Sequence, residues 1–283
     1  MTTDSEATRV VSLLPGATET LFALGLGSRV VGVTHECDHP PAARSLPRVT
    51  HSVLELEGMD GGAIDAQVSA SAAAGRGLYE IDAGAILGLR PDLVIAQDIC
   101  DVCAVPADQV ELSLTGVRVL RMHAHRMEDV LAGMEELSRA CGADPTPLIE
   151  ELRRRIHAVA AEVRGRPAVR GVFLEWLDPP YASGHWTPDL LRMAGIDDAL
   201  ARPGRPSVPT SWQAVRQAQP ELLLLAPCGF NEERTRAEAE RMRSEIESVG
   251  ARRVVVFDGS AYFNRPGPRL VDSLELLANA NKG

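Results

Sequence analysis

Short runs of β-branched and apolar residues alternate along this chain with stretches of helical periodicity. Residues 9–15 (RVVSLLP), 30–34 (VVGVT), 91–97 (PDLVIAQ) and 117–122 (VRVLRM) read as strands. Each is a short apolar run bounded by turn-forming or charged residues. Between the first two, ATETLFALGLG (17–27) has helical spacing and ends in glycines, a common helix stop. A short helix separates the last two strands. The second half repeats the style, with strands at 169–176, 220–226 and 252–258. Helices fit TPDLLRMAG, TSWQAVRQA, EERTRAEAERMRSEIE and PRLVDSLELLANA, the second opened by a capping box from Thr210 to Gln213. This alternation predicts an α/β protein with mostly parallel sheets covered by helices on both faces.

The segment 145–167, PTPLIEELRRRIHAVAAEVRGRP, has a different character. Leu148, Leu152, Ile156 and Val159 mark one apolar face, and Glu150–Arg154 and Glu151–Arg155 stand at i,i+4 spacing. Its helical part would span about 30 Å, the reach of a rigid strut. The expected organisation is therefore an N-terminal lobe (1–144), a connecting helix (145–167) and a C-terminal lobe (168–283). An internal echo supports two similar lobes: LRPDLVIAQDIC resembles AQPELLLLAPCG, so Cys100 and Cys228 each follow an apolar strand. Ligands of open α/β sheets bind at the carboxyl ends of strands, which puts both cysteine loops in a cleft between the lobes.

The loops after the predicted strands hold the candidate chemistry. Aromatic residues are scarce, with 3 Trp, 3 Tyr and 5 Phe in all. Trp176, Tyr181, Trp186, Phe230, Tyr262 and Phe263 nevertheless fall in just three loops of the second half. That concentration predicts a broad apolar surface for a flat ligand; the plainer alternative is that these rings pack the loops down. HECDH places His35, Glu36, Cys37, Asp38 and His39 directly after a strand, where a solvated turn around one buried thiol is the competing reading. Cys100 and Cys103 frame CDVC, with Asp98 just before them. Cys37, Cys100, Cys103 and His185 together would supply the four ligands that zinc needs, or most of those of an iron–sulfur cluster. A thioredoxin-type exchange pair fits less well, because the helix after CDVC starts beyond its second cysteine, out of reach of the helix dipole. Nucleotide-binding glycine fingerprints, the GxSxG elbow and HExxH are all missing from the sequence.

Composition narrows the classes. The net charge is −10, from 29 basic and 39 acidic residues, which argues against a broad nucleic-acid surface. No stretch is apolar for long enough to span a bilayer. The first ten residues carry two acids and no basic-then-apolar leader, so the expectation is a cytoplasmic protein with reduced cysteines.

Taken together, RVVSLLPGATETLFALGLGSRVVGVT, LRPDLVIAQ, VFLEWLDPPYASGHWTPDLLRMAGI, SWQAVRQAQPELLLLAPCG and AYFNRPGPRLVDSLELL resemble, in order and spacing, the helical-backbone class of substrate-binding proteins, and within it the vitamin B12 (cobalamin) branch. The likeness covers nearly the whole chain. It implies two Rossmann-like lobes joined by one long α-helix, with the ligand flat in the cleft between them. It also implies aromatic loop contacts to a corrin ring: Tyr181 and Ser183 to His185 match one such loop, and Tyr262 and Phe263 another. Tyr262 stands where the branch tends to carry Trp. Asn264 and Arg265 continue that second loop. This chain departs from the branch in its thiol- and imidazole-rich loops and in an insertion at 58–82, GMDGGAIDAQVSASAAAGRGLYEID, expected to form a helix over the cleft mouth.

The reading that follows is a cytoplasmic corrinoid-binding protein acting as carrier, buffer or sensor, with His35, His185 or Cys37 near the cobalt. One alternative is an enzyme using a Cys/His/Glu metal or thiolate site in the same cleft. Another is the receptor of an ABC importer for cobalamin or an iron chelate. The expected partners are a small-molecule ligand and either an ABC permease or a corrinoid-using enzyme, with no nucleic acid and no membrane insertion.

Overall fold

The computed structural model describes residues 6–98 and 107–282. The first half runs β1 (Val10–Ser12), α1 (Pro15–Ala23), β2 (Val30–Val33), β3 (Thr50–Ser52), α2 (Gly61–Ala73), β4 (Tyr79–Ile81), α3 (Ala83–Gly88), β5 (Leu93–Gln97), α4 (Ala107–Ser113), β6 (Arg118–Met122) and α5 (Met127–Ala140). The linking helix α6 (Thr146–Val163) follows. The second half runs β7 (Val169–Leu177), β8 (Pro180–Ala182), α7 (Thr187–Met193), β9 (Ile196–Asp198), β10 (Val208–Pro209), α8 (Trp212–Gln217), β11 (Leu222–Leu225), α9 (Glu232–Arg241), α10 (Arg243–Val249), β12 (Arg253–Val256), α11 (Gly259–Tyr262) and α12 (Leu270–Ala280).

One sheet has the order β2-β1-β5-β6, parallel throughout. The other has the order β10-β8-β7-β11-β12, with β9 also on β7; β7, β9, β11 and β12 are parallel, while β8 pairs antiparallel with β7 and β10 antiparallel with β8. Period-two alternation divides each sheet between two cores. Val10, Leu93 and Ile95 pack on one face of the first sheet, and Val11, Val94 and Ala96 on the other. In the second, Phe173, Leu222 and Leu224 face one way, and Val172, Leu174, Leu223 and Leu225 the other. Each buried leucine of β11 adds about 2 kcal/mol of transfer free energy. Burial on both faces explains why these strands are unbroken apolar runs.

The linking helix differs from a free-standing strut. Leu152 and Val159 are buried with Leu148 and Ile156 packed beside them, as the periodicity requires. That core also takes in Met127, Val130 and Met134 of α5 and Leu190, Leu274 and Leu277 of α7 and α12, so it is shared by both halves. The two i,i+4 ion pairs expected along α6 are replaced. Arg154 bonds Glu151, and Arg155 turns to Glu275 and Asp272 of α12. A neighbouring helix with two carboxylates outcompetes one exposed pair on the same helix. Two further expectations shift. Ser211, rather than Thr210, caps α8 by accepting from the Ala214 amide, and the long helix drawn through EERTRAEAERMRSEIE breaks at Met242 into α9 and α10.

Candidate functional site: the cleft between the lobes

The carboxyl ends of the parallel strands in both sheets bring their loops together, and the contact has two ends of different chemistry. At one end, the segment after β1 meets the segment after α11. Gly16 and Gly267 allow the two backbones to touch: a Cβ on Gly16 would stand 2.3 Å from the Pro266 carbonyl oxygen, and one on Gly267 would stand 2.8 Å from that of Gly16. Beside this contact, Glu19, 4% exposed, takes a two-pronged bond from Arg269 at 2.9 and 2.5 Å. Arg265, 8% exposed, lies 3.7 Å from the same carboxylate and bonds Asp38 of HECDH. Burial pushes the Asp38 carboxyl up, but the bond and charge of Arg265 hold it below its ordinary value.

At the other end, the inserted helix α2 crosses from the first lobe to the second. Asp60 caps it by accepting from Ala63. The Gly61 amide donates to Glu238 at 3.2 Å. Trp176 Nε1 donates to the Gly61 carbonyl (3.2 Å) and to that of Asp178 (3.1 Å), and Tyr181 donates to Asp65 at 2.8 Å. Arg234 reaches the Met59 carbonyl, and Arg241 bonds both Glu238 and Asp178. Burial, followed by the Asp65 carboxylate, pushes the Tyr181 hydroxyl up to about 12. The helix expected from the insertion is therefore present, and its first turn lies against two of the aromatic side chains proposed for the ligand.

Between the two ends, His125 after β6 stacks on His185 from the second lobe, with centroids 5.9 Å apart and planes 21° from parallel. Arg126 clamps Asp189 at 2.7 and 2.5 Å. His185 has φ +47°, an uncommon conformation for a residue with a side chain. The loop pays that strain through several bonds: His185 N–H to the Arg205 carbonyl (2.7 Å), Gly204 N–H to the His185 carbonyl (3.0 Å) and Gly184 N–H to Glu175 (2.8 Å). Burial, and then the nearby His125, depress the His185 imidazole, and its buried Nε2 has no hydrogen-bond partner. Burial also pushes the Glu175 carboxyl up to about 7, against the opposing bond from Gly184. Glu175, Glu19, Arg269 and Asp65 were not among the sequence candidates; the position of Glu175 directly before Trp176, at the head of EWLDPPYASGHW, was the one available hint.

The remaining candidates scatter. Cys37 is 1% exposed in the first lobe's core, its Sγ 3.2 Å from the Thr18 hydroxyl and 3.1 Å from that of Thr34. Burial pushes the thiol up despite those bonds, so it is a packed, protonated group where an open thiolate was expected. His35 bonds Thr50 at 2.7 Å and lies 5.2 Å from the Tyr79 ring, while the Glu36 carboxylate accepts from Tyr79 at 3.4 Å. Asp98 is held by Arg121 at 3.1 Å. Cys228 is exposed. Cys100 and Cys103 lie outside the described residues. Among the described residues, no three His, Cys, Asp or Glu side chains form a metal-binding group. The expected zinc or iron–sulfur set is thus not assembled by its two described members, since the Cys37 thiol is taken up in the first lobe's core.

Two of the aromatic rings also prove structural. Phe263, 1% exposed, sits between Phe173 and Phe257 at 4.9 and 5.3 Å, and Trp186, 7% exposed, donates to the Phe263 carbonyl at 2.8 Å. Both fill the core beneath the cleft. Phe230 is 3% exposed, 4.9 Å from Trp176 and under the Arg234 guanidinium. Trp176, Tyr181 and Tyr262 keep part of their surface. The buried Asn264 amide nitrogen has no bonding partner.

Comparison with known proteins agrees with this architecture. The vitamin B12-binding protein of Vibrio cholerae is 25% identical over 279 residues, covering 95% of this chain and 87% of that protein. An uncharacterised ABC transporter substrate-binding lipoprotein of Bacillus subtilis is 25% identical over 294 residues, covering 99% and 82%. Among solved structures, the periplasmic vitamin B12-binding protein of Vibrio cholerae superposes with a TM-score of 0.71 at 22% identity, covering 98% of this chain and 99% of that one. A periplasmic haem-binding protein from Pseudomonas aeruginosa gives 0.72 at 22% identity, covering 97% and 92%. These relatives overturn the cytoplasmic expectation, because the matched proteins work outside the cytoplasm. The acidic first residues on which that expectation rested carry no physical information about export of the folded lobes. With a family model matching residues 10–259, the chain belongs to the periplasmic binding protein family.

Proposed function

We propose that this protein is the substrate-binding component of an ABC importer and holds a metal-bearing tetrapyrrole, a cobalt corrinoid such as cobalamin in the first instance, between its two lobes. The observation that carries the reading is the set of partly exposed second-lobe aromatic side chains, Trp176 at the end of β7, Tyr181 in β8 and Tyr262 at the end of α11, the first two in contact with the first lobe. Such rings suit the face of a large planar ligand. Relatives named for vitamin B12 and for haem support the ligand class. His185 is the nitrogen donor best suited to the ligand's metal: its lowered pKa keeps the imidazole neutral, and its Nε2 has no other partner. The permease of the importer is the expected macromolecular partner.

Isothermal titration with cyanocobalamin and with haemin tests this directly. Saturable binding of one of them with 1:1 stoichiometry is expected. At a hundred times its dissociation constant, that ligand should stabilise the fold by about 2.7 kcal/mol, read as a rise in melting temperature. Absence of heat and of any thermal shift with both compounds contradicts the proposal.

A further inference from the structure

The first turn of α2 meets second-lobe groups that a ligand would use. It offers two hydrogen-bond acceptors, the Gly61 carbonyl to Trp176 Nε1 and the Asp65 carboxylate to the Tyr181 hydroxyl. Its positive N-terminal end rests on the Glu238 and Asp178 carboxylates, themselves bridged by Arg241. The rest of the helix is weakly anchored: of its residues Gly61–Ala73, only Gly61, Ile64 and Ser71 are buried. Low apolar burial places a segment at the easily opened end of local stability. The helix is moreover an appendage. It is the tip of the antiparallel β3–β4 hairpin, whose ladder already closes with the Val53 N–H on the Leu78 carbonyl at 2.9 Å.

We infer that the first turn of α2 is an internal stand-in for the ligand, competing with it for Trp176 and Tyr181 and leaving them when ligand enters. This rests on the inter-lobe ligand site proposed above. It also defines chemistry at the ligand's rim. The Tyr181 O–H loses its acceptor when α2 leaves, while Trp176 N–H keeps the Asp178 carbonyl, so the ligand that displaces α2 carries an acceptor on its edge for Tyr181, as an amide carbonyl or carboxylate. A planar ring with a bare hydrocarbon rim would leave the Tyr181 hydroxyl unpaired, while Trp176 would keep only its bond to the Asp178 carbonyl, so such a ring would compete poorly with the helix.

The test compares three proteins: the parent, a variant in which residues 54–77 are replaced by an Asn-Gly turn to close the hairpin, and Asp65→Ala in the full-length chain. Each is titrated with cyanocobalamin and haemin. Removing the competitor should tighten binding about tenfold in the closed-hairpin protein, and Asp65→Ala should gain about threefold, as expected for one ordinary hydrogen bond lost between partly exposed groups. If the closed-hairpin protein does not fold, Asp65→Ala decides alone. Weaker binding in the variants overturns the inference by making α2 a wall of the site, and equal binding overturns it by making α2 a bystander. Binding by none of the three proteins removes the proposed function, and the stand-in role falls with it.

Discussion

The two ends of the inter-lobe contact are built to different standards. At the Gly16–Gly267 end, backbones touch and two largely buried guanidinium groups meet two carboxylates, Arg269 on the buried Glu19 and Arg265 between Glu19 and Asp38. At the α2 end, the contact is a handful of hydrogen bonds between partly exposed groups, with one buried apolar side chain, Ile64, behind them. The difference teaches where the molecule can move. Separating the first end would strand buried charges, which costs several kcal/mol. Releasing the second exchanges hydrogen bonds for water at about 1 kcal/mol each. The lobes should therefore stay joined at the ionic end while the inserted helix opens and closes at the other.

The strongest way to break this contrast is Glu19→Ala. It leaves Arg265 and Arg269 without their shared partner and should cost about 3–5 kcal/mol, a drop in melting temperature of roughly 6–15 °C for a protein of this size. A loss under about 2 °C would show that the ionic end holds nothing together.

A smaller effect separates the second lobe's own loops from both ends. The Glu175 carboxyl, ordinarily near 4.5, is pushed up to about 7 by burial. An acid raised in the folded state is held protonated there while the unfolded chain has already released its proton. Its contribution is therefore present at low pH and fades as pH rises from about 4.5 through 7. The full difference is on the order of 3 kcal/mol. His185 works in the opposite sense: burial depresses it, so it erodes stability as pH falls below its ordinary value. Melting curves across this range should show Glu175→Gln abolishing the decline toward neutral pH, and an unchanged profile would mean the carboxyl is solvated.

The smallest effect belongs to the α2 end. Asp65→Ala should lower stability by no more than about 1 kcal/mol, because the helix can let go without disturbing either core. Thermal unfolding of this variant beside Glu19→Ala gives the contrast in one experiment, and similar losses from the two would erase it.

Much of the architecture could be read from the chain because its signals are local. Four adjacent leucines at 222–225, closed off by Pro220 and Pro227, are too short for a buried helix and read as a strand buried on both faces, and the apolar face of α6 shows a clear helical period. The site was less legible, since its contacts join residues far apart in sequence. Nothing near Asp65 announces that Tyr181 will bond it, and nothing near Glu19 announces Arg269. Loop aromatics were also ambiguous in kind: Phe263 and Tyr262 are neighbours, yet one is core and the other keeps an open edge. The thiols misled for a related reason. A cysteine beside histidine and acids looks like a ligand in sequence, but Cys37 points into the threonine-lined interior of its own lobe. The strut's ion pairs shifted because α12, more than a hundred residues away, offered better partners.

The most direct test of the account is a crystal structure of the protein grown with the tetrapyrrole that binds it. The account predicts the macrocycle between the lobes, its face or edge against Trp176, Tyr181 and Tyr262, with the first turn of α2 displaced and the Glu19–Arg269 pair intact. Ligand bound on an outer face, with α2 still hydrogen-bonded to Trp176 and Tyr181, would contradict it.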